Sequence, residues 1–225
     1  MRNYYSKKLS SSNLQKCYEI APLQVKKYLE AEIVFVLKHI NSEDKVLELG
    51  CGYGRVLQRL VEKAKKVIGI DTSRESLQFA RKMIMYNNSL ELFEMNAIDI
   101  YFEDGDFDVV ICIQNGISAF HVDKEKLIKE AVRVTRSGGK VLFSSYSEKF
   151  WEDRLEWFQL QAEHDLIGEI DYEKTGNGVI VCKDGFRATT VSTDEFLYLT
   201  KNMNVNTKII EVDNFSIFCL LKVNF

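Results

Sequence analysis

Apolar residues follow two alternating rhythms along this chain. Short unbroken runs of Val, Ile and Leu stand at about 45–49, 66–71, 90–95, 107–113 and 140–145. Between them, at about 53–64, 74–87 and 123–135, apolar residues recur every three to four positions. The runs predict strands and the recurrence predicts helices. Continuous runs imply strands covered on both faces, hence a parallel sheet, and strands alternating with helices imply a doubly wound α/β fold. Thr72 or Ser73 is placed to cap the helix at 74–87, and Gly138-Gly139 to stop the helix at 123–135 before the next strand. Ahead of the first strand, residues 1 to about 42 read as helical, with Leu29, Ile33, Val36 and Ile40 on one stripe.

Beyond residue 147 the rhythm changes. Trp151, Leu155, Phe158, Ala162 and Leu166 mark a long amphipathic helix, with Trp157 off its stripe. Three short β-like runs follow at about 169–174, 179–183 and 186–191, separated by the tight-turn pairs Asn177-Gly178 and Asp184-Gly185. They predict an antiparallel meander inserted into the α/β pattern. Ser192-Thr193-Asp194-Glu195 opens a helix to about 203 as a capping box, and strands at about 206–212 and 215–223 close the chain.

The stretch Val46-Leu47-Glu48-Leu49-Gly50-Cys51-Gly52-Tyr53-Gly54-Arg55 is a buried strand running into a glycine loop and then a helix. Glycine tolerates positive φ and lets the backbone approach a ligand, and the helix that follows presents unpaired N–H groups. Dinucleotide enzymes use G-x-G-x-x-G; here Arg55 stands at the third glycine's position. Asp71 ends the second strand 21 residues after Gly50, placed to accept hydrogen bonds from ribose hydroxyls. That spacing fits any adenosine ligand, nicotinamide cofactors included.

E-L-G-C-G-Y-G, with its acidic residue two before the glycines, resembles motif I of the class I S-adenosylmethionine-dependent methyltransferases. The stretch from His121 through Leu127, Glu130, Arg133, Val134, Gly138 and Gly139 resembles a tract common in the small-molecule members. The resemblance covers about 40–147 by motif and 192–225 by pattern. It implies a Rossmann-like methyltransferase fold: a seven-stranded, mostly parallel sheet of order 3-2-1-4-5-7-6 with strand 7 antiparallel. Here that sheet carries an N-terminal helical segment (1–42), the cofactor core (43–147), the inserted helix and meander (148–192) and a closing helix and hairpin (193–225). It implies S-adenosylmethionine as cofactor, with Glu48 near its amino group and the backbone amides of Gly50, Cys51 and Gly52 facing its methionine end. Gly54 and Arg55 complete the loop. Asp71 would hold the ribose, and Thr72, Asn96, Ala97 and Ile98 the adenine. The family often has Gly-Asp-Ala where this chain has Asn96; an amide oxygen can still accept from an exocyclic amine, and Asp99 ranks second for that role.

Ile113, Gln114 and Asn115, at the end of the fourth strand, are placed by the resemblance beside the methyl and its acceptor. No proline stands there, which argues against the DNA-methylating types with Asn/Asp-Pro-Pro-aromatic or Pro-Cys signatures. His121 is the candidate catalytic base, as a neutral imidazole able to take a proton, with a purely structural role weighed beside it. The N-terminal segment is expected over the cofactor. Tyr4, Tyr5, Tyr18 and Tyr28 are each read singly as packing residues, with at least one reaching the pocket. The meander is expected to help form the acceptor site.

The bulk numbers narrow the partners. A net charge of −3 gives no reason to expect nucleic acid. No apolar run of 18 residues predicts a membrane span, and the first residues lack a signal-peptide core. Five scattered cysteines without a C-x-x-C imply reduced thiols in a cytoplasmic protein and no metal site. The expected partner is a small-molecule acceptor, and the chain is read as a monomer or homodimer. Two other functions stand beside methyl transfer: a nicotinamide-dependent oxidoreductase and a non-catalytic S-adenosylmethionine-binding protein. A thiol or metalloid acceptor is the outlying variant.

Overall fold

The computed structural model describes residues 11–84 and 87–224. Two helices open it, α1 (Ser11–Glu19) and α2 (Leu23–Leu37), divided at Pro22, whose fixed φ of −58° suits the start of α2. The α/β core follows: β1 (Lys45–Leu49), α3 (Leu57–Leu60), β2 (Lys66–Asp71), α4 (Arg74–Met83), β3 (Leu90–Glu94), β4 (Phe107–Cys112), α5 (Gly116–Ala119), α6 (Lys124–Arg133) and β5 (Thr135–Tyr146). Then come α7 (Trp151–Glu163), β6 (Ile180–Val181), β7 (Arg187–Ala188), α8 (Thr193–Thr200), β8 (Val205–Val212) and β9 (Ser216–Val223).

Seven of the strands form one sheet of order β3-β2-β1-β4-β5-β9-β8. The first five are parallel, and β9 runs antiparallel between β5 and β8. This is the order expected from the resemblance. Alternate residues of each strand face opposite sides. Leu47 and Leu49 of β1 join a core with Leu127, Ile128 and Phe196. Val46 faces the other way, against Val36, Ile40, Leu57 and Leu60. A third cluster, with Tyr28, Tyr146, Phe150, Trp157 and Phe186, joins α1 and α2 to the inserted region.

Four expectations need correction. The helix expected at 53–64 is a single turn, Leu57–Leu60, because Gly54 sits at φ +88° and the amides of Lys63 and Ala64 both fall back on the Leu60 carbonyl. Its apolar stripe is nevertheless buried at Val56, Leu57, Leu60 and Ala64. Gly138-Gly139 does not end a helix. The chain enters the sheet at Thr135, opposite Phe107, and residues 136–139 bulge out before Lys140 pairs with Val109. A Cβ on Gly139 would lie 2.6 Å from Thr135 and 2.8 Å from two carbonyl oxygens, so only glycine closes that bulge. In α7 the predicted stripe is buried fully at Phe158 but only partly at Trp151, Leu155 and Ala162; Arg154, Trp157 and Gln161 complete the buried face, and Leu166 lies past the helix end. The three-stranded meander reduces to the two-residue strands β6 and β7 plus isolated bridges at Ile170–Cys182 and Gly176–Val179. Gly176, Gly178 and Gly185, all at positive φ, break it into turns.

Candidate active site at the strand tips

The glycine loop leaves β1 with Gly50, Gly52 and Gly54 at φ +72°, +53° and +88°. Side chains crowd two of them. A Cβ at Gly50 would meet the Phe120 ring at 2.3 Å, and one at Gly52 would meet Leu14 of α1 at 3.1 Å. The amides expected to face a ligand do not. Gly50 and Cys51 donate to the Ile70 carbonyl at 2.8 and 2.9 Å, and Gly52 donates to the Asp71 carboxylate at 2.9 Å. The physical reason is adjacency in the sheet: β2 ends beside β1 and its last carbonyl and side chain take up the loop's donors. Asp71 also accepts from Ser73 N at 2.7 Å, and burial raises its carboxyl above the ordinary range. A carboxylate has about four acceptor positions, so these amides do not use up its capacity to accept. Ser73, not Thr72, caps α4 by accepting from Ser76 N, and Thr72 is exposed beside Asp71.

Glu48 is the unusual member of β1. It is 5 % exposed, between Leu47 and Leu49 in the buried part of the strand. Burial pushes its carboxyl up to about 8, against the pull of Arg55 and with the push of Asp71. Its Oε2 has no hydrogen-bond partner, and neither do Nε and Nη2 of Arg55. The Tyr18 ring of α1 lies 4.7 Å from the Arg55 guanidinium. Tyr18 also meets Tyr53 and Trp157, and its hydroxyl donates to Gln114 Oε1 at 3.5 Å. Trp157 Nε1 donates to the Cys17 carbonyl at 2.8 Å, holding α1 across the loop. The N-terminal segment therefore covers the glycine loop, with Tyr18 the tyrosine that meets it; Tyr4 and Tyr5 lie outside the described residues. A buried acid and a half-buried base, each with open hydrogen-bonding positions, match the ammonium and carboxylate of an amino-acid moiety. The residues present thus fit the methionine end of S-adenosylmethionine.

Past the tip of β3, Asn96 is exposed and its Oδ1 accepts from Ile98 N at 3.2 Å, closing a short turn that also buries Ala97. At the tip of β4, Ile113 is buried, and Gln114 and Asn115 take φ +56° and +61° in succession. Two consecutive non-glycine residues at positive φ are costly and mark a shaped turn. Asn115 explains part of it. Its Oδ1 accepts from Ser145 Oγ at 2.8 Å and its Nδ2 donates to the Thr189 carbonyl at 2.9 Å, while Val191 N donates to the same Ser145 hydroxyl. Asn115 thus clips β4, β5 and the end of the insertion together. His121 sits beyond Phe120, exposed and at φ +52°, with its imidazole held below the usual value first by partial burial and then by Arg187.

Glu32 of α2 was not among the expected site residues. It is fully buried. Its Oε2 accepts from Gln114 N at 2.7 Å and Ser144 Oγ at 2.9 Å, and its Oε1 is unpartnered. Burial is the largest influence and lifts its carboxyl to about 7. The signal lay in the helical stripe itself, since Glu32 falls at i+3 from Leu29, inside an apolar face.

Residues 46–139 match the methyltransferase domain family model. A ubiquinone biosynthesis O-methyltransferase of Idiomarina loihiensis is 30% identical over 112 residues, 48% of this chain and 45% of that protein. An arsenite methyltransferase of Aquipseudomonas alcaligenes is 32% identical over 139 residues, 56% of this chain and 38% of that protein. The chain spans about half the length of the curated relatives it matches. A solved S-adenosylmethionine-dependent methyltransferase of Methanosarcina mazei superposes with TM-score 0.62 at 18% identity, covering 85% of this chain and 97% of that one. Its agreement is with the fold, and the antiparallel β9 between β5 and β8 separates that fold from the all-parallel dinucleotide-binding sheet. Residues 46–139 thus resemble a methyltransferase domain, and they are set in the fold of the solved S-adenosylmethionine-dependent methyltransferases.

Proposed function

We propose that this chain transfers a methyl group from S-adenosylmethionine to a small-molecule acceptor by in-line displacement. When bound, S-adenosylmethionine supplies an electrophilic methyl on a sulfonium sulfur. The chain's own residues bind and orient. Glu48 takes the ammonium and Arg55 the carboxylate of the amino-acid end. Asp71 takes the ribose hydroxyls. Thr72, Asn96, Ala97 and Ile98 border the adenine, Gly50 to Gly54 form the wall, and Ile113, Gln114 and Asn115 mark the acceptor side. The observation that carries the reading is the pair of unpartnered polar groups at the glycine loop, the buried Glu48 carboxyl and the Arg55 guanidinium. Asn115 and Ser145 tie the end of the insertion to the β4 tip, which supports assigning 148–192 to the acceptor side.

A small acceptor fits both the net charge of −3 and the ubiquinone-pathway relative. A metalloid acceptor held by thiolates fits poorly. Cys17, Cys51, Cys112, Cys182 and Cys219 are all buried, and burial holds four of the thiols up, Cys17 and Cys219 at about 12. The same buried, free thiols support the assignment to the cytoplasm. Among the described residues no helix is long and apolar enough to cross a membrane. Calorimetric titration with S-adenosylmethionine, S-adenosylhomocysteine and NAD tests the proposal. Binding of the first two, weakened at least tenfold in Arg55→Leu, is expected; binding of NAD in their place overturns it.

A further inference from the structure

Four polar groups meet at the tip of β4, and the cofactor-binding roles above leave two of their atoms unused. Glu32 Oε1 and Gln114 Nε2 are both buried and both without a hydrogen-bond partner. The backbone links them: the Gln114 amide donates both to Glu32 Oε2 and to Ser144 Oγ, and the Ser144 hydroxyl donates to the same carboxylate oxygen. The Tyr18 hydroxyl closes the group on Gln114 Oε1. One carboxylate oxygen is thus fixed by two donors while the other stays open, which sets the orientation of the open one. A buried acid that served only to clip Gln114 and Ser144 would gain from a partner on its second oxygen, since an unpaired buried carboxylate oxygen is costly.

Building on the methyltransferase reading, we propose that Glu32 is the catalytic base of this chain, accepting through Oε1 the proton of a hydroxyl acceptor whose neighbouring oxygen is held by Gln114 Nε2. The bonds balance simply. The acceptor oxygen forms a bond to the methyl carbon as the carbon–sulfur bond breaks and its electron pair returns to sulfur. The O–H pair stays on oxygen, and the proton passes to the Glu32 carboxylate, later leaving to water. The base is neutral afterwards, so no charge is stranded in the buried cluster. An acceptor without a removable proton, such as a thioether, would have no use for it.

The surroundings suit a base working near neutrality. Burial raises the Glu32 carboxyl to about 7, while Ser144, the Gln114 amide and the Arg55 charge pull it down. The Ser216 hydroxyl faces the same carboxyl and also pulls it down. The other titratable groups facing it are Tyr28 on its own helix, Tyr18 of α1, Cys112 of β4 and Tyr146 of β5, every one of them held neutral by burial. His121, exposed beyond Phe120, is correspondingly relieved of the role.

The test uses the full chain, S-adenosylhomocysteine, and catechol as a hydroxyl probe with a neighbouring oxygen. Glu32→Gln keeps an oxygen for the Gln114 amide, and Glu32→Asp keeps the carboxylate one methylene short. Titration with S-adenosylhomocysteine should be unchanged in both variants. Failure of the wild type to bind it would overturn the methyltransferase reading itself, separately from the role of Glu32. Difference infrared spectra should show a buried carboxyl band that titrates near pH 7, is missing in Glu32→Gln, and moves when catechol is added to the S-adenosylhomocysteine complex. Transfer to catechol should fall by about 100-fold or more in Glu32→Gln, with loss of the rising limb near pH 7, and recover in part in Glu32→Asp. A carboxyl band unmoved by catechol, or a Glu32→Gln enzyme as fast as wild type, overturns the proposal and leaves Glu32 as a clip on the β4 tip.

Discussion

Asp71 shows how one side chain both builds the site and serves it. Its carboxylate ties Gly52 N and Ser73 N, so it shapes the glycine loop and the start of α4 before any ligand arrives. Asp71→Ala should therefore cost about 1–3 kcal/mol of stability, since two backbone donors lose their acceptor, as well as weakening S-adenosylhomocysteine binding at least tenfold. Urea unfolding and calorimetry on the same preparation measure both, and a variant that loses affinity at unchanged stability would show that the loop holds its shape without Asp71. Glycines offer a matched pair. Gly50 and Gly185 both sit at positive φ, but an added Cβ meets Phe120 at 2.3 Å in one case and nothing within 4 Å in the other. Gly185→Ala should cost about 1 kcal/mol from backbone strain alone. Gly50→Ala should cost roughly 1–3 kcal/mol more, because the Phe120 ring must move out of a packed site. Equal costs in urea unfolding would mean that Phe120 yields freely.

At the level of elements, Trp157 ties α1 to the body through the Cys17 carbonyl. Trp157→Phe removes the donor to the Cys17 carbonyl while leaving most of the ring packing. Amide exchange in α1 should speed up about tenfold or more, while β1, β2 and β4 keep wild-type protection, because the lost bond serves local opening only. Uniform acceleration throughout the sheet would show that α1 and the core open together. The elements also differ in how far the chain's pattern reveals them. β1, β2 and β4 are legible as unbroken apolar runs because both faces are covered, and the closing hairpin is legible through its turn and its β-branched residues. The turn around α3 is not legible: its apolar spacing is helical, and only the positive φ of Gly54 decides that one turn forms. The inserted region misleads in the other direction. Its turn pairs promise strands, but the glycines that make the turns leave too little chain between them for more than β6 and β7. Glu48, Asp71 and the glycines were readable from motif spacing. Glu32 was not, because its partner Gln114 lies 82 residues away and only the fold joins them.

Across the whole molecule, two buried acids tie stability to pH. Glu32 and Glu48 are raised from 4.5 to about 7 and about 8. In both the folded chain holds a proton that the unfolded chain releases, so their contribution is full below about pH 4.5 and is lost as pH rises towards 8. Asp108, Glu130 and Glu211 are lowered by their Arg or Lys partners and work in the opposite sense, but only as pH falls below the ordinary carboxylate range. His121, lowered by burial and Arg187, adds a small loss of stability on the acid side of neutrality. The ligand-free protein should thus lose on the order of 3–6 kcal/mol between pH 5.5 and 8, and Glu48→Gln should flatten much of that slope. S-adenosylhomocysteine reverses the preference of Glu48, because its ammonium needs the ionised carboxylate. Its affinity should therefore rise with pH over the same window, and the melting-temperature gain it produces should widen from pH 6 to pH 8. At ligand near 100 times Kd the gain corresponds to about 2.7 kcal/mol, or roughly 5–10 °C for a chain of this size. Melting curves collected with and without the ligand at several pH values decide the matter: diverging curves support an ammonium on Glu48, and parallel ones would assign the buried carboxylate a purely structural role.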